Sequence, residues 1–172
     1  MTSTPTATDD RAANHLTPSV SVMPYDHPDA RRLTQALRAE QLGLYGFADD
    51  PGMTPEADFD PPHGLFLIAR IGDDPVGCAG VRLLDEHTAE IKRMYVAGDA
   101  RGHGIGRHLL EHLEQHAVNR GVMRIMLETG RRNTAALALY HRTGYVPCPP
   151  YVPGRDHAIN RAMIKSLSSA SP

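Results

Sequence analysis

Between Ala97 and Arg107 the chain reads AGDARGHGIGR, with glycines at positions 98, 102, 104 and 106. Glycine lets a backbone take positive φ and lets the main chain come close to a ligand. The stretch follows a β-prone run, TAEIKRMYV, and opens an amphipathic one. The free N–H groups of a helix N-terminus would therefore face into the turn, with the positive end of the helix dipole behind them. That is an anion site suited to a pyrophosphate, with Arg101 and Arg107 beside it. Two common phosphate motifs do not fit. A P-loop requires G-x-x-x-x-G-K-[ST], and no such Lys or Ser/Thr is present here. A dinucleotide fingerprint requires G-x-G-x-x-G within a βαβ unit, whereas this chain has G-x-G-x-G after a run of antiparallel-type strands.

Three histidines, His108, His112 and His116, follow at i, i+4 and i+8. Such a pair can share a metal. No third ligand accompanies them, however, and the helical wheel assigns the core stripe to Ile105, Leu109, Leu110, Leu113 and Ala117. The histidines fall on the flank and the polar side, so a solvated face is expected and no metal.

The elements that position this turn can be read from periodicity and punctuation. Ser19–Met23 is a short strand candidate. Asp26 is the expected cap of a helix over Asp29–Leu42, with Pro28 early in it. A long irregular connection, Gly43–Gly64, follows. Leu65–Ile71, Pro75–Leu84 and Thr88–Val96 are expected to form a meander, with Ala89, Ile91 and Arg93 on one face of its last strand and Glu90, Lys92 and Met94 on the other. The helix after the glycine turn is expected to stop at Gly121. Val122–Glu128 reads as a strand, Thr134–Arg142 as a helix capped by Asn133, and Tyr145–Val146 and Asn160–Leu167 as final strands. One strand–helix–strand crossover beside antiparallel pieces predicts an α/β (α+β) fold with a mixed, mostly antiparallel sheet of six to seven strands and helices on both faces. Residues 1–18, rich in Thr, Ser, Ala and Asp, are expected to be a disordered tail, and residues 19–168 a single domain.

The block R-G-x-G-I-G, preceded by AEIKRMYV and followed by N-x-x-A-x-x-x-Y-x-x-x-G-Y, resembles the GNAT superfamily of acyl-CoA-dependent N-acyltransferases. The resemblance is close over Pro75–Tyr145. It implies acetyl-CoA as cosubstrate and direct transfer of its acetyl group to a primary amine in a ternary complex. The pyrophosphate would be held through backbone amides, at the matching residues Arg101, Gly104 and Gly106, with Gly102, His103, Ile105 and Arg107 lending their amides. It also implies a β-bulge in the strand before the turn, at the acyl-CoA cleft. The backbone of Met94, Tyr95 and Val96 would then meet the cofactor arm, and the Met94 amide would stabilise the oxyanion. Asn133 would contact the arm as well as cap its helix. Tyr140 lies seven residues on, two turns along nearly the same face, and the resemblance makes it the acid for the departing thiolate. Glu90 is the implied general base, with Glu128 or an ordered water as alternatives. Tyr45, Phe47 and Tyr151 are the aromatic candidates for the acceptor pocket. The acidic loop around Asp49, Asp50, Glu56, Asp58 and Asp60 reads either as an attractor for a cationic amine or as a solvated loop. The resemblance further implies a homodimer. A non-catalytic acyl-CoA-binding sensor is the alternative reading; it would keep the glycine turn and lose the acid and base.

Composition narrows the field. The chain has 172 residues and a formal net charge of −2. That is not the clustered positive excess that phosphate-backbone binding requires, so no nucleic-acid partner is expected. No apolar run reaches the roughly 20 residues of a membrane span, and the first residues lack the pattern of a signal peptide. The two cysteines, Cys78 and Cys148, make no metal or disulfide framework, and neither sits in a nucleophile context. A cytoplasmic setting is expected.

Overall fold

The computed structural model describes residues 18–167. The expected tail lies outside the described residues, apart from Pro18. A seven-stranded sheet has the order β1-β2-β3-β4-β5-β7-β6. Its strands are β1 (Ser19–Val22), β2 (Gly64–Ile71), β3 (Asp74–Leu83), β4 (Thr88–Val96), β5 (Arg124–Gly130), β6 (Val146–Pro147) and β7 (Asn160–Ser166). Neighbours run antiparallel except β4 and β5, which are parallel. The helices are α1 (Pro28–Tyr45), α2 (Ile105–Asn119) and α3 (Thr134–Arg142). The mixed sheet and the helices on both faces match the expectation.

Strand β2 shows why both faces are covered. Its residues alternate, and neither set is polar. Leu65, Leu67 and Ala69 enter one apolar core, with Leu109, Leu110 and Leu113 of α2. Phe66 and Ile68 enter the other, with Ala30 and Leu33 of α1. A near-continuous apolar strand is the pattern of a sheet buried on both sides.

The boundaries differ from expectation for local reasons. His27, not Asp26, caps α1: its Nδ1 accepts from the Asp29 amide at 3.1 Å. His27 directly precedes Pro28, and a residue before proline is pushed out of the helical region, so it becomes the cap. The helix runs on to Tyr45 and ends where Gly46 adopts φ 76°. Tyr45 is thus helical rather than on the loop. The connection beyond carries two short 3₁₀ turns, Pro51–Met53 and Glu56–Phe59. Strand β5 starts two residues later than expected, because the Val122 amide still closes the end of α2 on Ala117 O at 3.0 Å. The last hairpin pairs Val146 and Pro147, rather than Tyr145, with β7; Tyr145 is buried in the core at 1% exposure.

Candidate active site

The site is built where β4 stops behaving as a regular strand. Between the pairs Cys78–Tyr95 and Gly80–Lys92, one β3 residue, Ala79, faces two β4 residues, Arg93 and Met94. This is a β-bulge, and Arg93 takes φ 58° to make it. A bulky residue in that region costs of order 1–3 kcal/mol, which the surrounding sheet must offset. The alternation expected for β4 therefore holds only as far as Lys92. On the other side of β4, the parallel pairing with β5 covers only Thr88–Ile91 against Arg124–Leu127. From Lys92 onward β4 has no β5 residue beside it, and the sheet opens into a V.

A cleft of about 700 Å³ fills the opening. One end is the glycine turn. Gly102 and Gly104 adopt φ 84° and 78°, values that suit glycine. Gly104 is the N-cap of α2 and supplies no side-chain cap, so the first amides of α2 are available to an anion. Close behind, a methyl group at Gly106 would come within 2.7 Å of Leu139 Cδ2. The small residue lets the start of α2 lie against α3.

Most of the expected cofactor contacts line this cleft: Met94, Tyr95, Val96, Arg101, Gly102, Gly104, Ile105, Gly106, Arg107, Asn133 and Tyr140. The exception is His103. Its Nδ1 turns back to Ala100 O at 3.2 Å and Arg101 O at 3.1 Å, away from the cleft. Arg101 does not extend freely either. Its Nε donates to Val96 O at 2.9 Å and its Nη2 pairs with Glu40 of α1, so it ties the turn to its neighbours. Asn133 caps α3 through Oδ1, which accepts from the Ala136 amide at 3.2 Å. Tyr140 is 5% exposed; its hydroxyl donates to Met94 Sδ at 3.5 Å, and burial pushes its phenol pKa up.

The acceptor-side expectations divide. Tyr45 lines the cleft, and its hydroxyl accepts from the Arg132 amide at 3.2 Å. Phe47 is 45% exposed and lies outside the cleft wall; its ring leans on Tyr45 at 6.0 Å between centroids. Tyr151 is also off the wall, because its hydroxyl donates inward to Glu90 Oε1 at 2.8 Å. Burial and the nearby Glu90 carboxylate push the Tyr151 phenol up.

The two candidate bases have opposite surroundings. Glu90 is 1% exposed and is not part of the cleft wall. Arg82 Nε holds its Oε2 at 2.9 Å, Tyr151 holds its Oε1, and Lys92 Nζ lies 3.4 Å away. Arg82 in turn reaches Asp58 at 2.7 Å. Glu90 thereby ties to β4 both the connection between α1 and β2, through Arg82 and Asp58, and the connection between β6 and β7, through Tyr151; these two are the acceptor-side connections. Glu128 lines the cleft with a side chain 7% exposed, and its Oε2 makes no hydrogen bond. Burial raises its carboxyl above the usual range, with Arg155 opposing. Arg155, between β6 and β7, was absent from the residues singled out in the sequence. No periodicity marks it; it matters through Asp49, 106 positions away, and through Glu128 on β5.

The thiols and histidines fall where the sequence reading put them. Cys78 is buried, its Sγ lies 3.3 Å from Arg93 O as donor, and burial raises its pKa. Burial raises Cys148 as well. Neither is an activated nucleophile. His108, His112 and His116 are half-buried or exposed on the outer side of α2, and no metal-holding group of three such side chains occurs among the described residues.

The family model for the acetyltransferase (GNAT) family matches residues 30–145, from α1 through the end of α3. The chain belongs to the GNAT family. An IAA acetyltransferase of Azospirillum brasilense is 37% identical over 107 residues, covering 62% of this chain and 70% of that protein. The crystal structure of an acyl-CoA N-acyltransferase from Klebsiella pneumoniae superposes with a TM-score of 0.76 at 29% identity, covering 89% of this chain and 99% of that one. A GNAT acetyltransferase of Elizabethkingia anophelis, solved with acetyl-CoA bound, shares the fold with a TM-score of 0.64 at 20% identity, covering 87% and 98%. For a GNAT protein, the bulge, the V and the uncapped α2 start form one continuous surface along the cleft.

Proposed function

We propose that this GNAT protein is an acetyl-CoA-dependent N-acetyltransferase that acts on a primary amine by direct transfer. The observation that carries the reading is the V between β4 and β5, which leads straight to the glycine turn. A pantetheine arm can lie along the freed β4 backbone, and a pyrophosphate can take the uncapped amides of α2. The residues present fit the cosubstrate: no side chain fills the turn at Gly102 or Gly104, and the bulge frees backbone near Met94 for a thioester carbonyl.

Bound acetyl-CoA supplies the acetyl group as a thioester. The chain's own groups move the protons. Glu128, with its raised pKa and an oxygen that makes no hydrogen bond, takes one proton from the acceptor ammonium at Oε2. The amine nitrogen then bonds to the acetyl carbon and the carbon–sulfur bond breaks. Tyr140, whose raised pKa keeps its proton in place, donates that proton to the departing sulfur; the second proton, which the nitrogen sheds on becoming an amide, restores the Tyr140 phenol, and Glu128 releases the first to solvent. Glu90 is spoken for by Arg82, Tyr151 and Lys92, so the base role falls to Glu128 in this chain.

Calorimetry with acetyl-CoA, CoA, ATP and NAD tests the binding half: binding of the two CoA species alone is expected, and ATP or NAD binding without CoA would overturn it. Thiol release over an amine panel separates enzyme from acyl-CoA sensor. Tyr140→Phe should lower kcat by roughly 10²-fold or more with acetyl-CoA affinity unchanged; intact turnover would remove Tyr140 from the mechanism.

A further inference from the structure

An alkylamine reaches any enzyme as its ammonium ion, because its pKa lies near 10. The acceptor end of the cleft must therefore seat a cation before any proton leaves. Two carboxylates from distant parts of the chain line that end: Asp49, just beyond α1, and Glu128 on β5. Both already face a cation, Arg155. The Arg155 Nη1 donates to Asp49 Oδ1, while Nε lies 3.4 Å from Glu128 Oε2. The two contacts are not equivalent. Burial works against the Asp49 charge, yet the hydrogen bond from Arg155 holds its carboxyl below the usual range. Glu128, 7% exposed, gains proximity but no hydrogen bond at Oε2. A buried carboxylate oxygen without a donor is costly, and a ligand N–H there would satisfy it. Arg155 sits on the connection between β6 and β7, which carries no helix or strand around it.

We propose that Asp49 and Glu128 form the ammonium seat of the acceptor site, that Arg155 holds this seat until an acceptor displaces it, and that the acceptors are cationic amines that carry no carboxylate. The last clause follows from the charges at that end. With Arg155 displaced, Asp49, Asp50 and Glu128 share that wall with Lys92 and Arg93, and Glu90 behind them is paired with Arg82. Lys92 is already drawn to Glu90 at 3.4 Å. An added carboxylate meets net negative charge there, and an added cation does not.

The inference rests on reading this cleft as an acyltransferase site, and a matched pair of probes tests it separately. n-Butylamine and 4-aminobutyrate differ by one carboxylate. Amide hydrogen exchange across residues 148–159 is followed with each probe at saturating concentration, against sodium chloride of equal ionic strength. n-Butylammonium should speed exchange of that segment, and neither 4-aminobutyrate nor salt should. In Arg155→Gln the segment should exchange fast without any probe, and the KM for amines should fall by about fivefold, as expected when a competing occupant is removed. Acetyl-CoA affinity should stay the same. Asp49→Asn gives an independent variant: it should also loosen the segment, and it should weaken the response to n-butylammonium. Slower exchange with 4-aminobutyrate, lost in Arg155→Gln, would overturn the proposal and make Arg155 an anchor for acceptor carboxylates. No response to either probe would also overturn it. Failure to bind acetyl-CoA would sink the enzyme reading instead, whatever the exchange data say about the seat.

Discussion

The two ends of the cleft are made of different materials. At the glycine turn the surface is backbone: positive φ at Gly102 and Gly104, a helix start without a side-chain cap, and a strand edge opened by a bulge. At the acceptor end it is side chains held in ion pairs, Arg155 with Asp49 and Glu128, backed by the buried Glu90 with Arg82 and Lys92. Backbone amides cannot change identity when a residue is substituted, so the first end suits a ligand part common to a whole family. Side-chain charges change with one substitution, so the second end suits a part that varies between relatives.

That contrast can be strained from both sides, and Glu128→Gln should strain it most. It should lower kcat by about 10²-fold while leaving acetyl-CoA affinity alone, as measured by thiol release and calorimetry. The same variant has a stability signature. Glu128 has a raised folded-state pKa, so its favourable contribution is complete below the unfolded carboxylate pKa and is lost as pH rises through the folded value. Thermal melts of the wild type should therefore fall relative to Glu128→Gln across that window. Activity should rise over the same window, because the base must be ionised. Parallel slopes for activity and stability would remove Glu128 as the base.

Gly104→Val probes the other end. A β-branched residue at φ 78° costs about 1–3 kcal/mol. Acetyl-CoA affinity should drop about tenfold or more while acceptor KM is unchanged. A fall in acceptor binding of equal size would show that the two ends are not separable.

A smaller effect is expected at Glu90. Glu90→Gln keeps an acceptor for Arg82 or Tyr151 and loses the charge. It should raise acceptor KM several-fold more than it lowers kcat, because both acceptor-side connections hang on that carboxylate. Glu90→Ala leaves Arg82 and Lys92 without their buried partner and should cost about 3–5 kcal/mol in chemical denaturation. A pH–rate profile that loses its acidic limb in Glu90→Gln would return the base role to Glu90. At the bottom of the scale, His112→Ala should shift stability by no more than about 0.5 kcal/mol and leave both ligands' affinities unchanged, since the side chain is exposed on the outer face of α2.

The same division explains what could be read in advance. The glycine turn, the start of α2, and α3 with its Asn133 cap were legible because each is local: residues within a few positions of one another set the backbone. The mixed character of the sheet followed from the meander and a single crossover; the insertion of β7 between β5 and β6 did not. The bulge was legible only through resemblance. No glycine marks Arg93, and nothing in TAEIKRMYV breaks the alternation that the structure abandons after Lys92. The acceptor end was the least legible. Glu90 is the implied base by resemblance, and nothing near it in the chain announces that Tyr151, 61 positions away, and Arg82 close around it. Tyr151 and Phe47 were aromatic candidates by type alone, and side-chain direction, which type does not encode, takes both off the cleft wall.

The parting of β4 from β5 at Ile91 and Leu127 has a consequence for assembly. It puts an open strand margin inside a seven-stranded sheet. Such margins normally invite another polypeptide to add on and lead to clumping. Here the margin is recessed between α2, α3 and the acceptor-side connections, with Leu139, Ala136 and Tyr45 along the walls. A single slender chain can thread alongside it, whereas a second sheet cannot dock there. The recess leaves room along this margin for a narrow guest.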